Sequence, residues 1–194
     1  MTQQGMPNPI ELYEGAIQSM LPILGGVGDK LGASTPCSEW NVQALIMHNI
    51  KTAQFAHSIL TGTGDADPGS MMAVDGPLPS EGALAAFEAS TNKVLEAIKV
   101  AGALEKVLDT PLGQMPAGHF LMIPFGDIVI HKWDLAKATN QDTSLDSSLA
   151  EECYHALAQE IEGGRKAGLF GPEVQVPITA SVQVKLLGLS GRQP

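Results

Sequence analysis

The stretch HFLMIPFGDIVIHKWDLAKAT, residues 119–139, decides the fold. It is longer than a β-strand commonly runs, lacks period-two alternation and is apolar for most of its length, so it predicts a mostly buried helix. Pro124 and Gly126 lie near its start and are expected to bend it there. A helix that is apolar around most of its circumference needs other elements on several sides, and the rest of the chain supplies them.

Upstream, Ile10, Tyr13, Ile17, Met20, Leu21 and Leu24 recur at helical spacing, with Pro9 placed for a first turn and glycines within 25–32 to end the helix. Residues 34–41, STPCSEWN, are turn chemistry ending on Asn41, a good N-cap. The second helix it introduces, over 42–60, carries the stripe Val42, Leu45, Ile46, Asn49, Ala53, Ala56 and Leu60 and stops at Gly62 and Gly64. Residues 65–79, rich in Gly, Pro and Asp, read as a loop. Ser80 is the expected cap of a third helix over 81–101 that buries Leu84, Phe87, Val94, Leu95 and Ile98, and 109–116 read as a second loop.

Beyond the central helix, Ser147 or Ser148 is expected to cap a polar-faced outer helix that reaches Lys166 and closes at Gly168. An extended piece at 174–176 and a short helix over 178–189 follow. No βαβ alternation and no internal repeat occur, so an all-α helical bundle is expected rather than a doubly wound sheet. The expected organisation is one domain over 1–194, with its core at 8–167 and a C-terminal extension at 168–194.

Hydrophobic residues make up 44% of the 194 residues and charged residues 16%, which suits one sizeable core and not a disordered chain. The formal net charge of -10 argues against nucleic acid or an anionic membrane as partner, since both demand a basic face, and the eleven Lys and Arg residues form no cluster. Residues 1–8 have neither the basic start nor the apolar stretch of a secretory signal, and no apolar run is long enough to span a bilayer, so a cytoplasmic location is expected. Cys37 and Cys153 are too few for a disulfide framework and too far apart for a zinc ribbon, and are expected as isolated reduced thiols.

Chemistry concentrates in the central helix. Asp127 and His131 project from one face about 6 Å apart along the axis, where they either share a metal ion or make an ordinary i,i+4 pair. The apolar neighbours Ile128, Val129, Ile130 and Trp133 make an ionised Asp127 costly without a compensating cation, which favours the metal. His48, equally unusual in the apolar second helix, is either a core histidine bonded to a carbonyl or the third member of a set of two imidazoles and one carboxylate. Three protein ligands leave coordination positions open, and these donors suit zinc first, with nickel and iron as alternatives.

His57 stands half a turn out of phase with His48 and is expected at the surface. His155 falls outside the pairing pattern, and His119 is the one serious substitute ligand. Asp134 either orients His131 or is a solvated charge, and Trp40 and Trp133 either line a pocket or pack the core. Cys37 has no basic neighbour in its sequence window and is read as a small buried residue near a helix start.

The motif TPCSEWNV at 35–42 leading into His48, with D-x-x-x-H-x-W-D-L-A at 127–136, resembles the DinB-like superfamily. The similarity is closest to the branch related to the N-terminal domain of mycothiol-dependent maleylpyruvate isomerase. Residues 165–172 and the ending LLGLSGR at 186–192 look like that branch too, so the likeness spans almost the whole chain. It implies a four-helix bundle with up-down-down-up connectivity and a divalent ion held by residues of two helices. The family's ligand positions fall on His48, Asp127 and His131, with the shorter Asp127 where relatives commonly carry His or Glu. By the same analogy the chain is expected to be a metal-dependent enzyme using a low-molecular-weight thiol such as mycothiol, an S-transferase or isomerase-like catalyst. Its expected partners are a small-molecule substrate or thiol, with a homodimer as the assembly considered. The alternatives are a non-catalytic metal-binding or stress-response module and a metal-free structural dimer.

Overall fold

The computed structural model describes residues 8–64, 66–166 and 168–194. Residues 1–7, which carry most of the reading that no secretory signal is present, lie outside the described residues, as do Asp65 and Ala167 at the edges of the predicted loop and core.

α1 (Pro9–Gly25) starts where predicted. The Asn8 side chain accepts from the Ile10 N–H, and Pro9 occupies the first turn, where a missing N–H costs nothing. The helix ends at the first glycine of its predicted stop, and a single 3-10 turn (Lys30–Gly32) leads into the next loop. α2 (Val42–Thr61) is capped by Asn41, which accepts from the Ala44 N–H, and is stopped by Gly62 at φ 70. Every residue of its predicted stripe is buried.

The segment at 65–79 is not wholly loop. A one-turn helix, α3 (Gly69–Met72), folds there against α2, with Asp67 accepting from the Gly69 N–H and the Ser70 hydroxyl. α4 (Ala83–Ile98) is shorter than predicted: Gly82, at φ 89, stands at its N-cap, while the Ser80 hydroxyl turns to Glu81. Its inner face carries Phe87, Val94 and Ile98 as expected, but Leu95 is half-buried and Leu84 sits exposed on the flank.

The predicted second loop holds a hairpin, the departure from an all-helical chain. β1 (Val107–Thr110) pairs antiparallel with β2 (Gly113–Pro116), Val107 opposite Pro116 and Thr110 opposite Gly113. The Thr110 hydroxyl closes the turn by accepting from the Leu112 N–H and donating to the Gly113 carbonyl, and Leu108 anchors the hairpin in the core. α5 (Ala117–Thr139) continues through Pro124 and ends at Asn140, whose φ of 57 breaks the helix.

α1 packs against α4 and α5, and α2 packs against the same two, so α1 and α2 face each other across a four-helix bundle. Tyr13 and Met20 from α1, Leu45 and Ile46 from α2, Phe87 from α4, and Leu121 and Phe125 from α5 fill its centre. Each such side chain contributes about 1.5–3 kcal/mol on burial, and this is what holds the charged groups described below out of water.

α6 (Ser147–Lys166) lies outside the bundle against α5, and its buried residues Ala150, Cys153 and Ile161 form the narrow inner stripe expected of an outer helix. Its cap is the Asp146 carboxylate, accepting from the Ser148 and Leu149 N–H groups, and not a serine. α7 (Val182–Leu189) begins at its Ser181 cap, later than predicted, and packs on α6. The piece at 174–176 forms no strand but lies along α7, with the Val174 N–H donating to the Gly188 carbonyl. A Cβ at Gly188 would stand 2.6 Å from the Val174 carbonyl oxygen, so glycine is what lets the two segments meet. Among the described residues, no helix is long and apolar enough to cross a membrane.

Candidate metal centre

Because α2 packs on α5, His48 meets Asp127 and His131 from successive turns of α5. Nε2 of His48 lies 3.2 Å and Nε2 of His131 3.3 Å from the same Asp127 oxygen, Oδ1. The two rings stand edge to face with centroids 5.2 Å apart. The other Asp127 oxygen, Oδ2, is buried with no hydrogen-bond partner among the described residues, a condition that costs on the order of 1–3 kcal/mol. The Asp127 side chain is 23% exposed against 9% for His48 and 8% for His131, so the cluster opens to solvent on the Asp127 side.

Behind the cluster, each imidazole has its Nδ1 committed. The His48 Nδ1 donates to the Met71 carbonyl of α3 at 3.1 Å, and the His131 Nδ1 donates to Asp134 Oδ2 at 2.9 Å. Those bonds place a proton on Nδ1 and aim Nε2 at Asp127. Asp134 is fully buried, so it orients His131 and is not a solvated charge. Arg192 forks onto it, Nη2 donating to Oδ2 at 2.8 Å and Nε to Oδ1 at 3.3 Å. The same Nη2 donates to the Cys37 sulfur at 3.0 Å, which lies 3.5 Å from Asp134 Oδ2. Cys37 is therefore half-buried against a cation and not merely a small buried residue. Its basic neighbour comes from 155 positions away, which no sequence window could reveal.

Trp40 lies over His48 with ring centroids 4.5 Å apart, whereas Trp133 packs in the core under the Lys137 ammonium. The loop that carries Cys37 and Trp40 is held by Thr35, whose hydroxyl donates to the Trp40 carbonyl and accepts from the Cys37 N–H. The Thr52 hydroxyl stands 3.4 Å from His48 Nε2. His119 is drawn instead to Glu160, His155 rests against Tyr154, and His57 is half-buried elsewhere on α2. Sequence reasoning missed Thr52, legible as the polar residue one turn after His48, and the Met71 carbonyl, which left no signal. It also missed the place of Arg192 in the site, although that residue closes the LLGLSGR segment of the resemblance.

Burial would push the Asp127 carboxyl up, but the charges of His48 and His131 and their hydrogen bonds hold it well below the usual carboxylate range. Burial likewise opposes charge on His131, and Asp127, Asp134 and Cys37 override it and lift its pKa well above the ordinary value. Burial also opposes charge on Asp134, yet His131 and Arg192 keep its pKa low. Burial, and then the Asp127 charge, push the Cys153 thiol up to about 12 and raise the Tyr13 hydroxyl, which has no hydrogen-bond partner among the described residues. Cys153 is thus a packing thiol.

Cys37, His131 and Asp134 also bring ligand atoms within 4.8 Å of one another, but the Arg192 guanidinium already supplies the cation there. The His48 side is the better candidate. Cavities of about 420 Å³ around Glu14 and Lys99 and about 310 Å³ around Lys51 and Ser70 lie elsewhere, and neither is lined by His48, Asp127 or His131.

Residues 18–136, a span that includes all three, match the family described as the mycothiol maleylpyruvate isomerase N-terminal domain. An uncharacterized protein found in two strains of Mycobacterium tuberculosis is 30% identical over 171 residues, covering 88% of this chain and 84% of that protein. Among solved structures, the mycothiol-dependent maleylpyruvate isomerase superposes with a TM-score of 0.64 and a histidine-to-alanine mutant of it with 0.68. Both are 18% identical and cover 91% of this chain and 78% of that chain, a likeness that shows the shared fold.

Proposed function

This chain belongs to the mycothiol maleylpyruvate isomerase N-terminal domain family, and on that premise we propose that it is a metal- and thiol-dependent enzyme, a mycothiol-type S-transferase or isomerase-like catalyst. Its ion would be held by Nε2 of His48, Nε2 of His131 and the Asp127 carboxylate. The observation that carries this reading is the aim of both Nε2 atoms at one Asp127 oxygen while Asp127 Oδ2 has no partner among the described residues. With each Nδ1 proton already donated, each Nε2 turns either a proton or a lone pair toward Asp127. A single divalent cation would replace two crowded protons and give the orphaned oxygen a partner.

Two imidazoles and a carboxylate suit zinc foremost, with nickel or iron as the other candidates. When bound, such an ion supplies the Lewis acidity that favours a thiol in its ionised form near neutral pH. The chain's own groups do the rest. Asp134 and the Met71 carbonyl hold the two Nδ1 protons, Trp40 covers one face of His48, and the partly exposed flank of Asp127 is where thiol and electrophile would arrive. Calorimetry of the zinc-loaded protein with a low-molecular-weight thiol tests the reading. Binding that depends on zinc is expected, and no heat of binding with or without zinc would count against it.

The alternative is a metal-binding or stress-response module without turnover, which would need ligands for an ion but no polar groups converging on a substrate. Turnover of any thiol and electrophile pair, lost in Asp127→Asn, decides for the enzyme.

A further inference from the structure

The Arg192 side chain is drawn in from the half-buried tail, and the backbone on both sides of it sets its course. Gly191, at φ 82, turns the chain after α7, where a Cβ would crowd the Pro172 carbonyl at 3.2 Å. The Arg192 N–H donates to the Leu187 carbonyl at 2.8 Å, and Lys137 on α5 donates to the Gln193 carbonyl at 2.9 Å, so the tail is pinned on both sides of the arginine. The guanidinium, 10% exposed, then spends four donor contacts on three elements: two on Asp134 of α5, one on Cys37 in the loop before α2, and one on the Ser190 carbonyl beside α7.

We propose that Arg192 is a positioning residue for the candidate metal centre: its fork locks the Asp134 carboxylate in the orientation that accepts the His131 Nδ1 proton, and so aims His131 Nε2 at Asp127. The inference rests on the reading of His48, Asp127 and His131 as ligands only for its functional meaning. The chain of contacts stands by itself. A carboxylate accepting from one imidazole through Oδ2 alone is free to rotate about its last torsion, and a bidentate guanidinium removes that freedom. The contact with Cys37 extends the hold to the loop whose Trp40 rests on His48, so one side chain steadies the surroundings of both imidazoles. The segment predicted as a C-terminal extension thereby becomes part of the site.

The test uses the full chain, wild type beside Arg192→Met and Arg192→Lys, with two readouts. In the metal-free protein, imidazole proton NMR follows the His131 Nδ1–H, identified by its absence in His131→Gln. The wild type is expected to show it as a protected downfield signal, and Arg192→Met to lose or shift it. Lysine keeps the charge without the fork, so Arg192→Lys is expected to shift it as well, and this variant carries the test should the methionine variant not fold. An unchanged signal in a folded variant overturns the proposal.

The second readout is zinc affinity by chelator competition. A wild type that binds zinc is expected to weaken by about 10–100-fold in the variants, the range usual for loss of an outer-shell partner. Equal affinity in wild type and folded variants overturns the functional part of the proposal. A wild type that binds no zinc sinks the metal reading instead, while the NMR signal still decides whether Arg192 positions His131.

Discussion

His131 has two sides, and they are built on opposite principles. On the Nδ1 side, Asp134, Arg192 and Cys37 form a network in which both carboxylate oxygens have donors at hydrogen-bond distance and the positive and negative charges are matched. On the Nε2 side, two imidazoles crowd one oxygen of Asp127 while the other has no partner among the described residues. Asp134 is fully buried and the Asp127 side chain is 23% exposed, yet Asp127 Oδ2 is itself buried, so contact with water does not complete it. A satisfied network fixes geometry, and the unsatisfied one beside it is what the proposed ion would complete.

The largest expected effect comes from breaking the satisfied side. Asp134→Ala leaves the Arg192 guanidinium buried without its carboxylate, and urea unfolding of the metal-free protein should register a loss of about 3–5 kcal/mol. A loss within about 0.5 kcal/mol of zero would mean that this network is not a structural one.

The unsatisfied side should announce itself through pH. The folded pKa of His131 is raised, so its pairing with Asp127 stabilises the metal-free protein fully below the unfolded value of about 6.5 and fades as pH rises through the folded pKa. The Asp127 pKa is lowered, so its share is present above about 3.9 and fades as pH falls through its folded value. Stability of the metal-free protein attributable to the pair should therefore be greatest between those two limits. Zinc must displace the His131 proton, so zinc affinity should climb with pH over the range where this stability declines. A stability difference between wild type and Asp127→Asn that ignores pH would contradict the pairing.

Smaller effects sharpen the boundary between the two sides. Asn41→Ala removes the cap that sets α2 beneath Trp40 and should lower the unfolding free energy by about 1 kcal/mol without moving zinc affinity more than marginally. Cys37→Ser keeps a polar partner for Arg192, and the change in unfolding free energy should stay within about 0.5 kcal/mol.

What was legible in the sequence follows from the range of the interactions involved. The helices at Pro9 and Asn41 and the stop at Gly62 are local chemistry, read correctly from a few neighbouring residues. Asp127 and His131 were legible as a pair because one helix face sets their spacing, and His48 because a polar ring is conspicuous in an apolar stripe. The hairpin at 107–116 was hidden because its strands are short and its turn closes through the Thr110 side chain, so composition looked like loop. The caps at Gly82 and Asp146 went to residues other than the serines because the first is set by backbone conformation and the second by a carboxylate that outcompetes its neighbours. The saturated side of His131 was the least legible, since its contacts join residues 37, 134 and 192, and only the packed fold brings them together.

Elemental analysis of the purified protein beside His131→Ala, each prepared without an affinity tag that could carry metal, tests the metal centre at its ligands. A near-stoichiometric divalent ion is expected in the wild type and lost in the variant. Negligible metal in both, after incubation with zinc and removal of the excess, would contradict the metal reading and return His48, Asp127 and His131 to a buried hydrogen-bonded cluster.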